Sequence, residues 1–527
     1  MNKFGARIGV LVLAAVGTLG VLPSSANNLS VSNVSLGVRD ISTNTVVVNF
    51  DVSLENSWRN KINHDAVWLT VRLYDPNSSP IHKKLCSMTA SGVNPTGFSA
   101  GTLSDLELYV PSDKAGAFLR RSQNASPGNV SSQNIQVSID YSSCGFNSSD
   151  QIVASVMGIE MVYIPQGAFY AGDNGSSAAS LDQGSSDPDP WYINSESSIS
   201  VTNAVSNGFR YVSGSNAGEN ATGSSFSVPA AFPKGYSAFY VMKYEVTESQ
   251  WVEFINSLPS AAARSNHDLT DGTHKNSDTV VTRNTLACSG SPAVCSTQRP
   301  SRAVSYLSWM DLSAFLDWAA LRPMSELEFE KIARGPVLPV NGEYAWGSTD
   351  SIAASMLSGA EEDGSETVTT TGANAHYNDT PLSGGDSSLG VEYQKGPLLA
   401  GIFSNSSSSR VSSGAGYYGV MDLSGNLKEW IVTIGNATGR NFSAVHGNGS
   451  LSVDPGYEGY ADAANWPGLN AVTTRGVTGA TGSGLRGGSW VDIADRLRIS
   501  DRFEAALETT QALNTYGGRG VRTYDGE

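Results

Sequence analysis

The sequence has few thiols and imidazoles, and it is short of positive charge. Among 527 residues there are four cysteines and six histidines, and 33 lysines and arginines face 49 aspartates and glutamates, for a net charge of -16. Nucleic-acid binding needs a concentrated basic surface that releases counterions from phosphates, so this balance argues against a nucleic-acid partner. The histidines are scattered, and no two have the spacing of metal ligands.

Long apolar runs are also missing, except for one at residues 8–22. It follows a short basic segment and precedes Ser24-Ser25-Ala26, which is the order of a secretory signal and its cleavage site. A membrane anchor is the alternative, but the run contains glycine and is shorter than the roughly 20 apolar residues of a spanning helix. The sequence predicts a signal peptide over residues 1–26 and an exported protein that is secreted, periplasmic or at the cell surface, not membrane-spanning.

An even number of cysteines in an exported chain favours disulfides. Cys86 with Cys144 and Cys288 with Cys295 are the expected local pairs, and neither pair has the spacing of a zinc site. Free buried thiols are the alternative, because spacing alone does not fix connectivity.

Residues 28–155 alternate between apolar and polar side chains, as half-buried strands do. Val48, Phe50 and Val52 are predicted to face one side of a strand, and the same pattern recurs at 67–73, 106–110 and 135–139. Turn-forming residues separate these segments. We therefore predict a small β-sandwich over residues 27–155, linked by the Cys86–Cys144 disulfide.

Residues 156–527 are predicted to form a second domain with much irregular structure. Two stretches rich in Ser, Gly and Asn, at about 173–226 and 351–409, lack apolar periodicity and are expected to be long surface insertions. Loops of this length are either functional or mobile, and the sequence does not choose between these alternatives.

Helix starts are more sharply defined in this second half. Thr247 with Gln250 and Ser325 with Glu328 have the spacing of capping boxes, in which two side chains satisfy each other's backbone amides. A third helix is predicted over residues 309–320, from apolar side chains at helical spacing.

Eight short blocks follow one another in residues 161–524: MVYIPQGAF (161–169), YEVTE (244–248), VSYLSW (304–309), LRPMSELEF (321–329), YAWG (344–347), GVMDLSGNLKEW (419–430), RGGSW (486–490) and GVR (520–522). Their residues and order resemble those of the formylglycine-generating enzymes, also called sulfatase-modifying factors. The resemblance implies a variant of the C-type-lectin fold. The expected fold class is therefore α+β, with an N-terminal β-sandwich followed by this domain.

In active members of that family, two cysteines after the Gly-Gly-Ser block bind copper and oxidise a substrate cysteine to formylglycine. Counted from Ser489, the two positions hold Asp492 and Leu497, which cannot supply the soft thiolates that Cu(I) prefers. The copper oxidase, and copper itself, are not expected here. Asp492 is the one candidate catalytic residue that we retain.

The resemblance also implies structural calcium, which prefers carboxylate and carbonyl oxygens. By position, two carboxylates and two backbone carbonyls of the block at 419–430 form the first site, and a second site maps onto residues 374–375. A surface ion pair is the alternative for the two carboxylates. The predicted ligands are Asp422, Gly425, Leu427 and Glu429 for the first ion, and Asn374 and Ala375 for the second.

The segment after the Gly-Gly-Ser block is expected to line the ligand groove of this fold. Mixed charges and aromatic side chains there favour a specific ligand surface. The predicted ligand-binding residues are Ser489, Trp490, Asp492, Asp495, Arg496 and Asp501. Internal salt bridges are expected instead for four arginines that match structural arginines of the family, namely Arg486, Arg498, Arg502 and Arg522.

Together these expectations favour a non-catalytic module that binds a protein, peptide or glycan ligand. The variable proteins of diversity-generating retroelements are a special case, because they share the fold and vary residues between the Gly-Gly-Ser-Trp block and the last block. Two alternatives stay open: an enzyme with altered chemistry, and a structural component of the cell surface.

Overall fold

The computed structural model describes residues 28–359, 365–405 and 407–526. The predicted signal peptide lies outside the described residues. No helix in the described ranges is long and apolar enough to cross a membrane. Both predicted disulfides, Cys86–Cys144 and Cys288–Cys295, are present.

Nine strands form the N-terminal region. Three of them make an antiparallel sheet in the order β1-β2-β8. The strands are β1 (Ser30–Asp40), β2 (Thr45–Arg59), β3 (Asp65–Tyr74), β4 (Lys84–Leu85), β5 (Gly92–Val93), β6 (Leu106–Val110), β7 (Ala117–Arg121), β8 (Ala125–Asp140) and β9 (Val153–Ile164). The predicted alternation holds in β2, where Val48, Phe50 and Val52 are buried in one apolar cluster with Leu69 and Val71 of β3.

The second half is built from short strands and helices joined by long irregular segments, as predicted. Its strands are β10 (Phe169–Ala171), β11 (Trp191–Ile193), β12 (Ile199–Val201), β13 (Phe226–Val228), β14 (Phe239–Met242), β15 (Ala287–Ser289), β16 (Val294–Ser296), β17 (Arg322–Pro323), β18 (Leu357–Ser358), β19 (Thr367–Val368), β20 (Lys428–Val432), β21 (Ser483–Arg486), β22 (Tyr516–Gly517) and β23 (Gly520–Thr523). Its α-helices are α1 (Glu248–Ser257), α2 (Ala261–Asn266), α3 (Trp309–Trp318), α4 (Glu326–Arg334) and α5 (Ala437–Arg440).

One nine-stranded sheet runs through both halves of the protein. Its order is β17-β23-β14-β9-β3-β7-β6-β5, with β4 beside β3. The long strand β9 pairs with β3 along one edge and with β14 along the other. A separate N-terminal β-sandwich is therefore not confirmed, because one of its sheets continues into the second half. Alternation along a strand reports which face is buried, and it does not report which strands lie beside it.

The helix starts agree with the sequence. At α1 the Thr247 hydroxyl accepts from the Gln250 amide and the Gln250 side chain accepts from the Thr247 amide, and Ser325 and Glu328 do the same at α4. The third predicted helix is α3, which ends at Trp318, two residues earlier than predicted. The two capping boxes are confirmed. They could be predicted because a capping box depends on two residues that are three apart in the chain.

In the described ranges, both predicted insertions pack against the rest of the protein. Trp191 and Tyr211 of the first are fully buried. In the second, Asp386 is buried against two arginines of the 299–302 segment. The search for apolar periodicity could not reveal this packing. Single buried side chains hold these irregular segments, and no regular apolar face of a helix or strand is involved.

Candidate functional site

The site lies where strand β21 ends in the Gly487-Gly488 turn. Both glycines have positive φ, and a Cβ at Gly488 would lie 2.8 Å from Leu497 and 3.0 Å from the Arg496 carbonyl. Leu497 is fully buried in the apolar cluster that also contains Phe329 and Ile431. Leu497 is predicted to stand at one of the two positions that hold a copper-binding cysteine in active members of the resembled family. In this protein, a core side chain fills that position.

Asp492, at the other position, closes a turn. Its Oδ2 accepts from the amide of Ser489 at 2.9 Å and from the Ser489 hydroxyl at 2.6 Å. Its Oδ1 lies 3.5 Å from Nζ of Lys428, which forms a shorter ion pair of 2.5 Å with Glu504. These contacts fix the turn that follows the Gly-Gly-Ser block and hold the Asp492 carboxylate in one orientation.

The predicted ligand-binding residues divide into buried and exposed groups. Ser489 is fully buried, and Trp490 is 3% exposed and donates from Nε1 to the Asn514 carbonyl. Asp501 is also inside, paired with Arg496 at 3.1 Å, and burial raises the pKa of Asp501 to about 6. The ligand role of these residues stays a prediction.

The more exposed predicted residues, Asp495 and Arg496, lie on one loop, residues 491–496, which we call the ligand loop. Ile493 is 58% exposed, Val491 is 37% exposed, and Asp495 is open to solvent beside Arg498. The Arg496 guanidinium lies 3.5 Å from the centre of the Phe503 ring. Val491 and Ile493 were not among the predicted residues, because the prediction rested on charged and aromatic side chains, although two apolar residues flank Asp492 in the sequence.

The second insertion borders the ligand loop, and the first reaches Phe503, whose ring stacks on Arg496 of the loop. On one side the amides of Asn378 and Asp379 donate to the carbonyls of Asp492 and Trp490, at 2.7 and 2.8 Å. On the other side the first insertion reaches the Phe503 carbonyl through the Ser215 amide, at 3.1 Å. The cavity left beside Lys428, the Gly487-Gly488 turn and Arg496 is about 10 Å³, room for about one water molecule. This cavity is too small to hold anything larger than a water molecule.

All four arginines expected in internal salt bridges form ion pairs, but the pair of Arg498 lies at the surface and not in the interior. Arg486 pairs with Glu330 and Arg502 with Glu326 in the interior. Arg522 pairs with Asp113 of the N-terminal region, and Arg498 pairs with Asp495 at the surface. The carboxylates of Glu326 and Glu330 lie on helix α4, so these pairs tie the segment after β21 to that helix.

A family model, the sulfatase-modifying factor enzyme 1-like domain, matches residues 153–524, which is more than half of the chain. The chain belongs to this family. The match begins at the first residue of β9, the strand that joins the two halves of the sheet. No curated protein matches the chain.

The carboxylates predicted to bind the first calcium ion of this sulfatase-modifying factor domain already have partners. Asp422 accepts from the Gly401 amide at 2.6 Å. Both oxygens of Glu429 accept from the Arg519 guanidinium, each at 2.7 Å. Gly425 and Leu427 lie in the turn between them, and the Leu427 amide donates to Glu245 at 3.1 Å.

In the interior, Glu429 contacts the Arg519 guanidinium, and Glu245 and Asp422 act on it through their charges. Burial raises the pKa of all three acidic side chains, that of Asp422 to about 6, and Arg519 opposes this effect. In the described ranges no group of three or more His, Cys, Asp or Glu side chains is arranged to hold a metal ion. Carboxylates and carbonyls of this kind can bind a cation. In this structure, however, both oxygens of Glu429 accept from the Arg519 guanidinium.

The second predicted calcium site also has its oxygens engaged. The Asn374 side chain accepts from the Ile352 amide at 3.1 Å, and the Ala375 carbonyl accepts from the Ala354 amide at 2.9 Å. These bonds join neighbouring segments of the second insertion. Calcium at this place stays a prediction.

Proposed function

We propose that this protein is an exported, non-catalytic binding module of the sulfatase-modifying factor family, which holds a protein, peptide or glycan ligand on the ligand loop. One observation carries the proposal. The two positions that would supply copper thiolates hold a turn-capping carboxylate and a buried leucine, while all four cysteines of the sequence form disulfides elsewhere. Thiolate chemistry has no residue to use at this site.

The build of the ligand loop supports a binding role. Exposed apolar side chains beside a stacked arginine and aromatic ring are the groups that anchor protein interfaces. The loop backbone is held from inside by the Asp492 turn and from one side by the second insertion. A loop fixed in this way loses little conformational entropy on binding.

The retroelement special case concerns the interval that contains the ligand loop, an interval that enzymes of the family also have. Residues 491–496 lie between the Gly-Gly-Ser-Trp block and the last block, the interval in which such variable proteins differ. A near-identical template repeat downstream of the gene would support this origin, and a unique genomic sequence would count against it.

The experiment that tests the proposal has two arms. In the first, the purified exported protein is incubated with copper, oxygen and a cysteine-containing sulfatase peptide, and mass spectrometry measures formylglycine. We expect no product. Formylglycine above the level of a protein-free control would overturn the proposal and favour an enzyme with altered chemistry, for which Asp492→Ala is the first variant to assay.

In the second arm, arrays of glycans and of peptides are probed with the protein and with two matched variants. Ile493→Asp places a charge on the ligand loop, whereas Val453→Asp places one at a position 81% exposed outside it. We expect Ile493→Asp to weaken any array signal at least tenfold and Val453→Asp to leave it unchanged. Equal effects would remove the ligand loop as the site, and self-assembly in size-exclusion chromatography would favour a structural component.

A further inference from the structure

The buried arginine beside the predicted calcium site makes an unusually complete set of contacts. Arg519 lies between β22 and β23 and is fully buried. Its Nε and Nη2 donate to the two oxygens of Glu429, both at 2.7 Å. Its Nη1 donates to the carbonyls of Met242 and Lys243 at 3.2 and 3.1 Å, and Nη2 also donates to the Met421 carbonyl at 2.8 Å.

A guanidinium group has five N–H donors in one plane, and the contacts of Arg519 account for all five. The acceptors are two carboxylate oxygens and three backbone carbonyls. Calcium prefers oxygens of these same two kinds. The difference lies in geometry, because the forked Glu429 contact is planar and bidentate, as arginine–carboxylate pairs are.

The position of this cage explains why it needs a positive charge. Glu245 and Asp422 also act on Arg519 through their charges, so a group of acids is buried where irregular segments and strand ends meet. An uncompensated buried carboxylate costs several kcal/mol. A side chain of the protein itself supplies that compensation here, and it occupies both oxygens of a predicted calcium ligand.

We propose that Arg519 is the built-in cation of this oxygen cage and takes the place of the calcium ion predicted there, so that the segment 422–429 keeps its structure without a divalent cation. The residues around it would then form a cation site that an ion enters only when the guanidinium is removed.

The first test uses the unmodified protein and reads the segment directly. Hydrogen exchange of peptides covering residues 422–429 is measured by mass spectrometry in 2 mM CaCl2 and in 5 mM EGTA. We expect exchange rates within twofold of each other. A tenfold or larger acceleration in EGTA would show that a bound divalent ion holds the segment, and it would overturn the proposal.

Two variants then ask whether the cage is a cation site. Arg519→Leu removes the charge and keeps apolar bulk, whereas Arg519→Lys keeps the charge. Calcium bound per chain is measured by equilibrium dialysis and atomic emission. We expect Arg519→Leu to bind one calcium more than the unmodified protein and Arg519→Lys to bind no more than it does.

Equal calcium content in Arg519→Leu and the unmodified protein would overturn the proposal. If Arg519→Leu is insoluble without calcium, refolding it in 10 mM CaCl2 gives the same comparison, and recovery that depends on calcium supports the cage as a cation site. Should it fail to fold in both media, the hydrogen-exchange result on the unmodified protein decides alone.

Discussion

Both parts of this chain have an apolar core, but they differ in how most of their segments are joined. In the N-terminal region, long strands alternate in burial and their apolar faces form one cluster. In the sulfatase-modifying factor domain, distant segments are joined by buried arginine–carboxylate pairs, such as Arg519 with Glu429 and Arg486 with Glu330. Where no strand ladder satisfies the backbone, arginines bind carbonyls and carboxylates together and fix the segments that carry them.

The second insertion shows the consequence most directly. Asp386 is 2% exposed and accepts from Arg299 at 2.7 Å and from Arg302 at 2.8 Å. Nearby, Glu366 and Arg283 form a fully buried pair at 2.8 Å. These contacts anchor the insertion that supplies the Asn378 and Asp379 amides to the ligand loop. Loss of an anchor should therefore affect both stability and the loop.

The largest effect that separates the two regions is expected from Asp386→Ala. It leaves two buried guanidinium groups without their carboxylate, which costs about 3–5 kcal/mol of unfolding free energy. Urea unfolding followed by tryptophan fluorescence measures this loss. Asp379→Ala is the matched control, because Asp379 pairs with Lys395 at the surface with both side chains more than 40% exposed; there we expect a change of about 1 kcal/mol or less.

Similar effects of Asp386→Ala and Asp379→Ala would contradict this view of the domain. It would mean that the insertion opens without disturbing the rest of the protein. Hydrogen exchange limited to residues 351–405 would then report local opening in place of global unfolding.

A histidine in each region gives the next prediction, which concerns pH. Burial disfavours the charged form of His274, but Asp311 and Asp271 outweigh it and raise the pKa of His274 to about 9. In contrast, burial lowers the pKa of His82 to about 4. Because the folded pKa of His274 exceeds the unfolded value, its stabilisation is complete below about pH 6.5 and is lost as the pH rises through 9.

We therefore expect His274→Gln to lower the unfolding free energy by up to about 3 kcal/mol at pH 6, and by little at pH 10. His82→Gln should leave the pH dependence between 8 and 10 unchanged, since His82 is neutral there in both the folded and the unfolded state. Urea titrations of both variants at four pH values measure this. A difference between His274→Gln and the unmodified protein that does not vary with pH would contradict the assigned ion pairs.

How much of this was visible in the sequence depends on distance along the chain. The capping boxes at Thr247 and Ser325 are set by residues three apart, and strand alternation is local as well, so both were predicted. The two-sided pairing of β9 joins residues up to 97 positions apart, such as Val162 with Asp65. Periodicity contains no information on such pairing, so the continuous sheet was missed.

The site was predictable to the same degree. The family block RGGSW marked the segment where β21 ends, because the block is contiguous, and the assignment of Asp492 and Leu497 to the two copper positions stays a prediction. The family blocks did not show that Trp490 is buried, since it packs against Ala303 and Leu427, which are distant in the sequence. Arg519 was missed although it directly precedes the last block, because its partner Glu429 is 90 residues earlier and a lone arginine does not indicate its ion pair.

The smallest expected effect tests the other side of the comparison, the apolar cluster of the N-terminal region. Ile139→Val removes one buried methyl group and should cost about 1 kcal/mol of unfolding free energy, and Ile135→Val on the same strand should cost about the same. Because the two positions are four residues apart along β8, about 13 Å, their costs should add. Ile62→Val, at a side chain 56% exposed, is the control and should change nothing measurable. A double variant that loses far more than the sum would show that the cluster loses its stability as one unit. That result would contradict the expectation that each buried methyl group in this cluster contributes separately.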